Sequence, residues 1–402
     1  MNNKVKSIKT TFLLLALSPM VSFLKPVFVS IVDTQGDFGN YSLAIAYSVW
    51  FSYILNSGIY EGLLSRYAKI FASGKQLKIT LINRKICSLW IIILVFVSAI
   101  AIIFSIFTQL YFFSASILLS FSSVSFNIYS ARLRVSSHIL PISLIQMIRL
   151  VISLSITYLL LSFTTFGLDV VLFFDALALC IINVIVLIPN FTTNFDYRKL
   201  LKIYIGIASK ARNLTYISGL KASCLLLERQ SASALFGDEV FSQYAQLLIL
   251  FQAAIVGLGL IPQLWQQNIL FWTLKNGLKK ALLYQAYYIL ILSLGWAVFW
   301  TFLYQLSFRH SFFHEMPVIF FIGAAGVMYG GSYIDSIFLA LKKTKGLIPI
   351  YVSTICLWLI VMIVTVINAN TWLLEYQAIS LLVLSIMITT IPPFYLLIKK
   401  IV

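Results

Sequence analysis

The chain has 402 residues, of which 61% are apolar and only 10% are charged, and its mean hydropathy is +0.97. Soluble domains are about half apolar and roughly a quarter charged, so the composition excludes a set of ordinary soluble domains and predicts a chain immersed in lipid. The net charge of +17 comes from 29 Lys and Arg against 12 Asp and Glu. The basic residues form short clusters between apolar runs, which is typical of membrane topology and not of a nucleic-acid-binding face.

Apolar runs long enough to cross a bilayer recur twelve times. A hydrocarbon core of about 30 Å requires about 20 apolar residues in a helix. The predicted spans cover residues 10–32, 40–65, 86–107, 111–131, 141–162, 169–189, 213–235, 243–271, 281–305, 317–340, 347–368 and 373–398.

Basic clusters precede the first span and follow every even-numbered span. The largest of them lie at residues 4–9, 69–85, 198–212, 275–280 and 342–345. The opposite connections are acidic or neutral, and Arg309 is their one basic residue. Because Lys and Arg accumulate in cytoplasmic loops, both termini are predicted to be cytoplasmic.

The two halves of the chain resemble each other. Gly36 and Asp37 precede the second span, Gly237 and Asp238 precede the eighth, and a tyrosine follows each pair. These tyrosines, Tyr41 and Tyr244, are 203 positions apart. The pattern favours a parallel repeat of six plus six helices.

The predicted fold is therefore an all-α polytopic membrane protein, with about 12 transmembrane helices in two six-helix bundles around a central cavity. The predicted domains are an N-terminal bundle (1–190), a basic cytoplasmic crossover (191–212) and a C-terminal bundle (213–402). At the 203-residue offset, Lys25 falls opposite Glu228. We predict that these two residues approach each other in one transport state and separate around substrate in the other.

Ionisable residues inside the spans are the candidate transport residues. Each costs about 2.5–3.5 kcal/mol at the centre of a membrane helix, so each needs a partner or a function. The first choices are Lys25, Arg149, Lys221, Glu228 and Arg229, and the secondary candidates are Glu61, Asp175 and Asp335. Lys221, Glu228 and Ser218 share one helix face, which favours a wet interior.

Structural alternatives remain open for several of these charges. Lys25 and Arg229 are close enough to span ends to extend their head groups to the interface. Glu228 has a neutralising neighbour in Arg229, and each secondary carboxylate lies near an interface. Arg149 and Lys221 lie farthest from the ends of their spans.

Helix breakers predict bending. Pro26 lies in the first span, and Pro262 follows Gly257 and Gly259 in the eighth. These positions are predicted hinges, although ordinary irregularity of membrane helices is the competing interpretation. Helices that bend around a polar cavity are typical of a carrier that alternates between two openings.

Signatures of metal, cofactor or nucleotide binding are lacking. The sequence has no GxxxxGK[ST] loop for a nucleotide. His310 and His314 have the spacing of a zinc pair, but they lie in a polar connection without further ligands. The four cysteines have no paired spacing. We predict no cofactor and no metal.

The segment from Gly36 to Ala44, with the sequence GDFGNYSLA, resembles the F/Y-G-x-Y opening of the second helix in a known family. Gly58 and the segment Arg66-Tyr67-Ala68 resemble the G…R-x-A pattern of the same family. These features, with twelve spans in about 400 residues, resemble the polysaccharide flippases of the multidrug/oligosaccharidyl-lipid/polysaccharide exporter superfamily, particularly O-antigen flippases.

The resemblance implies a transporter and not an enzyme. It implies movement of an undecaprenyl-diphosphate-linked oligosaccharide from the inner to the outer leaflet of a bacterial inner membrane. Its implied partners are that lipid-linked oligosaccharide, the bilayer, a polysaccharide polymerase and the chain-length machinery. Intramembrane cations suit an anionic diphosphate. The alternatives are an ion-coupled multidrug exporter of the same superfamily and a membrane polysaccharide polymerase or glycosyltransferase, which typically has larger outer loops.

Overall fold

The computed structural model describes residues 24–26, 28–30, 32, 37–56, 59–135, 139–192, parts of 198–248, and 347–367. The ninth, tenth and twelfth predicted spans lie outside these residues. The chain divides into two compact units, Met1–Ala222 and Ser223–Val402. The prediction of separate bundles flanking a 191–212 crossover stays a prediction.

Helix is the only regular structure among the described residues. The helices with defined ends are α1 (Phe38–Asn56), α2 (Ile59–Ala72), α3 (Gln76–Thr108), α4 (Tyr111–Val135), α5 (Ile139–Phe163), α6 (Leu168–Leu187), followed by a 3-10 turn (Ile188–Asn190), and α7 (Leu347–Ile367). Four described segments are long and apolar enough to cross a membrane: Leu77–Thr108, Tyr111–Val135, Leu140–Phe163 and Leu168–Asn190.

Two helices differ from their predicted bounds. The second span was predicted to end at residue 65, whereas α2 continues to Ala72; residues 57 and 58, between α1 and α2, lie outside the described residues. The third span was predicted from residue 86, whereas α3 begins at Gln76. Hydropathy marks only the part of a helix that lipid contacts, but backbone hydrogen bonding continues beyond it.

A tight turn joins α2 to α3. Gly74 has a φ of 73°, the left-handed region that favours glycine, and its N–H donates to the Phe71 carbonyl at 3.0 Å. The Lys75 N–H donates to the Ile70 carbonyl at 3.2 Å. These bonds close the carboxyl end of α2 and reverse the chain.

The serine-rich helix α4 organises the N-terminal unit and packs against α1, α3 and α6. Ser116 donates to the Ala44 carbonyl at 2.9 Å, and Ser120 donates to the Ser48 carbonyl at 2.8 Å. Because the serines are small, the backbones of α1 and α4 approach closely, and their hydroxyls bond across the interface.

Close packing also explains Gly62. A Cβ on this residue would lie 3.0 Å from the Ile207 carbonyl oxygen and closer still to its side chain. The absence of a side chain at Gly62 therefore allows the segment 204–207 to approach α2 closely. Gly58 lies outside the described residues.

The C-terminal unit is described over fewer residues. Residues 226–238 and 240–245 are helical, and Ser231 contacts the Met362 sulfur of α7 at 3.3 Å. Tyr351 and Trp358 on α7 are buried, whereas Ile360 and Ile363 are more than half exposed. A helix whose exposed residues are aliphatic is suited to lipid contact.

Candidate functional site

The first predicted cation, Lys25, forms an ion pair inside the N-terminal unit. Its ammonium donates to a carboxylate oxygen of Asp175 on α6 and to the Ser153 hydroxyl on α5, the latter at 2.9 Å. The Lys25 side chain is 13% exposed and that of Asp175 is 0% exposed. The structure thus pairs Lys25, a first-choice candidate transport residue, with Asp175, a secondary candidate.

Tyr41 on α1 completes this cluster. It is 4% exposed, stacks on Phe38 with ring centroids 5.6 Å apart, and lies close enough to act electrostatically on both Lys25 and Asp175. We call Lys25, Asp175, Ser153 and Tyr41 the Lys25 cluster. The cluster draws on four helical segments, so it holds together the part of the unit that contains residue 25.

Arg149, one turn before Ser153 on α5, forms a second cluster. Its Nη2 donates to the Ser122 hydroxyl at 3.0 Å, and its guanidinium lies over the Phe126 ring, 4.3 Å from the centroid. The Asn183 amide donates to the Ser122 carbonyl, at 2.5 Å, and to the Ser122 and Ser125 hydroxyls, both at 2.9 Å. The arginine is thus held by neutral groups and an aromatic face.

Several buried polar atoms of these two clusters lack a hydrogen-bond partner among the described residues. They are Asp175 Oδ1, Arg149 Nε, Asn183 Oδ1 and the Thr157 hydroxyl. Leaving a buried polar group unpaired costs about 1–3 kcal/mol, and more for a charged group. Such atoms commonly mark a place for water, an ion or a ligand.

In the C-terminal unit, Glu228 is 2% exposed and Arg229 is 3% exposed. The Tyr244 hydroxyl donates to Glu228 Oε1 at 2.5 Å, and the charges of Glu228 and Arg229 interact. Tyr244 also contacts Phe236, with ring centroids 5.5 Å apart. Burial of Glu228 is therefore compensated by a phenol and by a neighbouring cation on its own helix.

Other predicted residues fall partly or wholly outside the described residues. These are Lys221, Asp335, Gly257, Gly259 and Pro262, together with the side chain of Glu61. Pro26 lies in the helical segment 24–26 beside Lys25. Their roles stay predictions.

The neutral members of the clusters, Ser153, Ser122 and Asn183, were not predicted from the amino-acid sequence. A usable signal exists, because polar residues recur along one face of α5 at Arg149, Ser153 and Thr157, four residues apart. Serine and asparagine are, however, common enough in membrane helices that this pattern alone does not identify partners.

Metal ligation receives no support from the described residues, where no group of three or more His, Cys, Asp and Glu side chains is arranged to hold an ion. Cys87, Cys180 and Cys356 are free thiols. The clusters instead consist of charged, hydroxyl and amide groups, which bind and release partners by electrostatics and hydrogen bonds.

No family model matches the chain, and no curated protein matches it. Solved structures do. The inward-facing conformation of a multidrug resistance MATE family transporter of the MOP superfamily aligns with a TM-score of 0.58 and 14% identity, over 96% of this chain and 93% of that chain. An outward-facing conformation of such a transporter aligns with a TM-score of 0.60 and 11% identity, over the same shares of the two chains. A mutant of the Vibrio cholerae MATE transporter VcmN aligns with a TM-score of 0.62 and 12% identity, over 100% of this chain and 98% of that chain.

At these identities the likeness establishes the fold. The chain has the all-α, multi-pass membrane fold of MATE transporters, with its two six-helix repeats, and the predicted fold class is confirmed. The superfamily implied by the sequence resemblance fits this fold. The narrower resemblance to O-antigen flippases stays a prediction, as does the orientation of the termini.

Proposed function

We propose that this chain is a membrane exporter that works by alternating access and has no enzymatic activity. The observation that carries the proposal is the likeness in fold, over 96% of the chain, to both an inward-facing and an outward-facing multidrug resistance transporter. A fold with two repeats, each carrying buried charges, suits a carrier whose bundles move against each other. We place it in a bacterial inner membrane with both termini cytoplasmic.

For the substrate, the comparisons favour the multidrug exporter over the flippase predicted first. A multidrug exporter takes amphipathic small molecules, and ion coupling would use buried ionisable groups. Asp175 and Glu228 are the described carboxylates that are almost fully buried.

The test of multidrug export is accumulation of a fluorescent cationic dye. Bacteria deprived of their own drug exporters would express the wild-type chain or a Glu228→Gln variant, which removes the charge of a buried carboxylate and keeps the oxygen that accepts from Tyr244. Lower dye accumulation with the wild type than with the variant, at matched protein levels, is the expected result. Equal accumulation over a panel of cationic, neutral and anionic dyes would contradict multidrug export.

A second candidate function is flipping of an undecaprenyl-diphosphate-linked oligosaccharide. The observation that favours it is Arg149, which has no ion-pairing carboxylate among the described residues and leaves its buried Nε unpaired. A guanidinium with free donors suits a diphosphate, which it can bind through two parallel hydrogen bonds. A polysaccharide polymerase and chain-length machinery would then be the functional partners.

Complementation separates the two candidates. The chain would be expressed in cells that lack their own O-antigen flippase, and surface polysaccharide would be measured. For a flippase, Arg149→Ala should abolish surface polysaccharide. Arg149→Lys should give almost as little if substrate binding needs two parallel hydrogen bonds from the guanidinium to the diphosphate. Arg134→Ala is the matched control, since Arg134 also lies over an aromatic ring, that of Tyr60, at 5.7 Å. Absence of surface polysaccharide with wild-type protein, together with dye export, would exclude the flippase.

A further inference from the structure

Three arginines lie near one another where α2 packs against the carboxyl end of α4. Arg132 and Arg134 occupy the last turn of α4, and Arg66 lies on α2. Arg66 and Arg132 are both close enough to the Tyr67 hydroxyl to act on it electrostatically. All three arginines are partly buried. Like charges that converge away from bulk water repel one another, so this place requires a compensating anion.

The Arg134 guanidinium is held over an aromatic ring. It lies 5.7 Å from the centroid of the Tyr60 ring. Tyr60 is itself fixed at the start of α2, because its N–H donates to Asn56 Oδ1 at 3.0 Å. Stacking covers one face of the planar guanidinium and leaves its N–H groups, which lie in the plane, able to donate. The Nε of Arg134 is buried and has no hydrogen-bond partner among the described residues.

The two helices contain too few negative groups to balance these arginines. Glu61 is the one carboxylate in the sequences of α2 and α4, and its side chain lies outside the described residues. One carboxylate against Arg66, Arg132 and Arg134 leaves a net charge of +2. The carboxyl end of α4 adds only about half a negative charge through the helix dipole. An anion from outside the chain is therefore needed to complete the site.

We infer that Arg66, Arg132 and Arg134 form a binding site for a phosphate group. Phosphate suits it because two of its oxygens can accept parallel hydrogen bonds from one guanidinium. The phosphate belongs either to the head group of an anionic phospholipid, which basic pockets at the ends of membrane helices bind, or to a soluble phosphate compound. The site is separate from the Arg149 cluster, since Ser122, which bonds Arg149, precedes Arg132 by about 15 Å along α4.

The experiment is thermal unfolding of the purified full-length chain in a neutral detergent. The additions are dioleoyl phosphatidylglycerol, dioleoyl phosphatidylcholine, sodium phosphate and sodium chloride, the two salts at equal ionic strength. Phosphatidylglycerol or phosphate should raise the unfolding midpoint by a few degrees, because a ligand that binds the folded state stabilises it by mass action. A rise with phosphatidylglycerol alone identifies the ligand as a lipid head group, whereas a rise with sodium phosphate identifies a soluble phosphate. No rise with either, or an equal rise with phosphatidylcholine, would overturn the inference.

Variants separate a defined site from diffuse attraction to positive charge. Arg134→Gln should abolish the rise in midpoint. Arg134→Lys should lose most of it, because an ammonium keeps the charge but not the two parallel donors. Arg84→Gln is the matched control, since it removes an exposed guanidinium from α3, and it should keep the full response. An equal loss with Arg84→Gln would mean that net charge alone attracts the anion and that no phosphate site exists.

The aromatic ring provides a second test if the Arg134 variants do not accumulate. Retention of phosphatidylglycerol, or of phosphate if that is the active ligand, would be measured by native mass spectrometry. Tyr60→Phe keeps the ring under the guanidinium and should bind like the wild type, whereas Tyr60→Leu should bind several-fold more weakly. Equal retention by these two variants would contradict the site. Because binding is measured without transport, a failure here leaves the proposed export function intact, and a failure of export leaves the site intact.

Discussion

At the 203-residue offset predicted from the sequence, Lys25 corresponds to Glu228, and each precedes a buried tyrosine by 16 residues. The N-terminal unit compensates its charge with an ion pair to Asp175 on another helix. The C-terminal unit compensates the opposite charge with the Tyr244 hydroxyl and the adjacent Arg229. Under this predicted correspondence, both halves have a charged group and a tyrosine 16 residues later, but the sign of the charge and the groups that neutralise it differ.

The difference bears on how strongly each group ties its helix to its neighbours. Removing one member of a buried ion pair typically costs about 3–5 kcal/mol, because the other charge remains buried. Losing a hydrogen bond to a charged group costs about 1.5–3 kcal/mol. The N-terminal cluster should therefore hold segment 24–26 more tightly than Tyr244 holds the segment around Glu228.

The largest expected effect is that of charge reversal at residue 25. Lys25→Glu places two carboxylates side by side in a buried cluster, and we expect a loss of more than about 3–5 kcal/mol and little folded protein in the membrane. Adding Asp175→Lys should restore much of the accumulation, as measured by immunoblot and by thermal midpoint. Adding Glu228→Lys should not restore it. Rescue by position 228 instead would support the predicted approach of Lys25 and Glu228 and would contradict Asp175 as the principal partner.

Neutralising the carboxylates should have a smaller and unequal effect. Asp175→Asn leaves the Lys25 ammonium buried without a counter-charge and should cost about 3–5 kcal/mol. Glu228→Gln keeps an oxygen that accepts from Tyr244 but removes the charge that interacts with Arg229, and it should cost about 3 kcal/mol, the upper end for a hydrogen bond to a charged group. Thermal midpoints of the two variants in one detergent provide the measurement. Equal losses would mean that the two repeats depend on their charges alike.

The smallest expected effect is that of removing the tyrosine hydroxyls. Tyr244→Phe deletes the bond to Glu228 and should cost about 1.5–3 kcal/mol. Tyr41→Phe deletes a hydroxyl without a hydrogen-bond partner among the described residues and should cost less than about 1 kcal/mol. Both keep the aromatic ring and its contacts, so each is the control for the other. A larger loss at Tyr41 would show that the N-terminal cluster depends on this phenol.

The membrane spans could be predicted well from the sequence, since helices α4, α5 and α6 begin and end within four residues of their predicted bounds. The reason is that lipid contact selects apolar side chains over a fixed length of helix. The differences lie between Ala72 and Gln76, where the helices continue beyond the predicted spans because backbone hydrogen bonding does not depend on hydropathy.

The candidate site could be predicted only in part. Lys25, Asp175, Arg149, Glu228 and Arg229 were identifiable because each ionisable group in a span is expensive. Their pairing was not predictable: Lys25 and Asp175 are 150 residues apart, and nothing local in either helix indicates the other. Ser153, Ser122 and Asn183 gave no comparable signal because neutral polar residues cost little in a membrane helix.

By itself, the sequence determined that this chain is a membrane protein. It also predicted the positions of the helices and the side on which the basic loops lie. Finally, it identified the few ionisable side chains whose burial in a membrane is too costly to be incidental. Those properties depend on transfer of single residues or single helices between water and lipid. The tertiary structure alone decided that Lys25 is neutralised by Asp175, that Arg149 is held by Ser122 and Phe126, and that Glu228 is bonded to Tyr244. Such pairings depend on which helices pack together, and that is settled by the shape of the whole bundle.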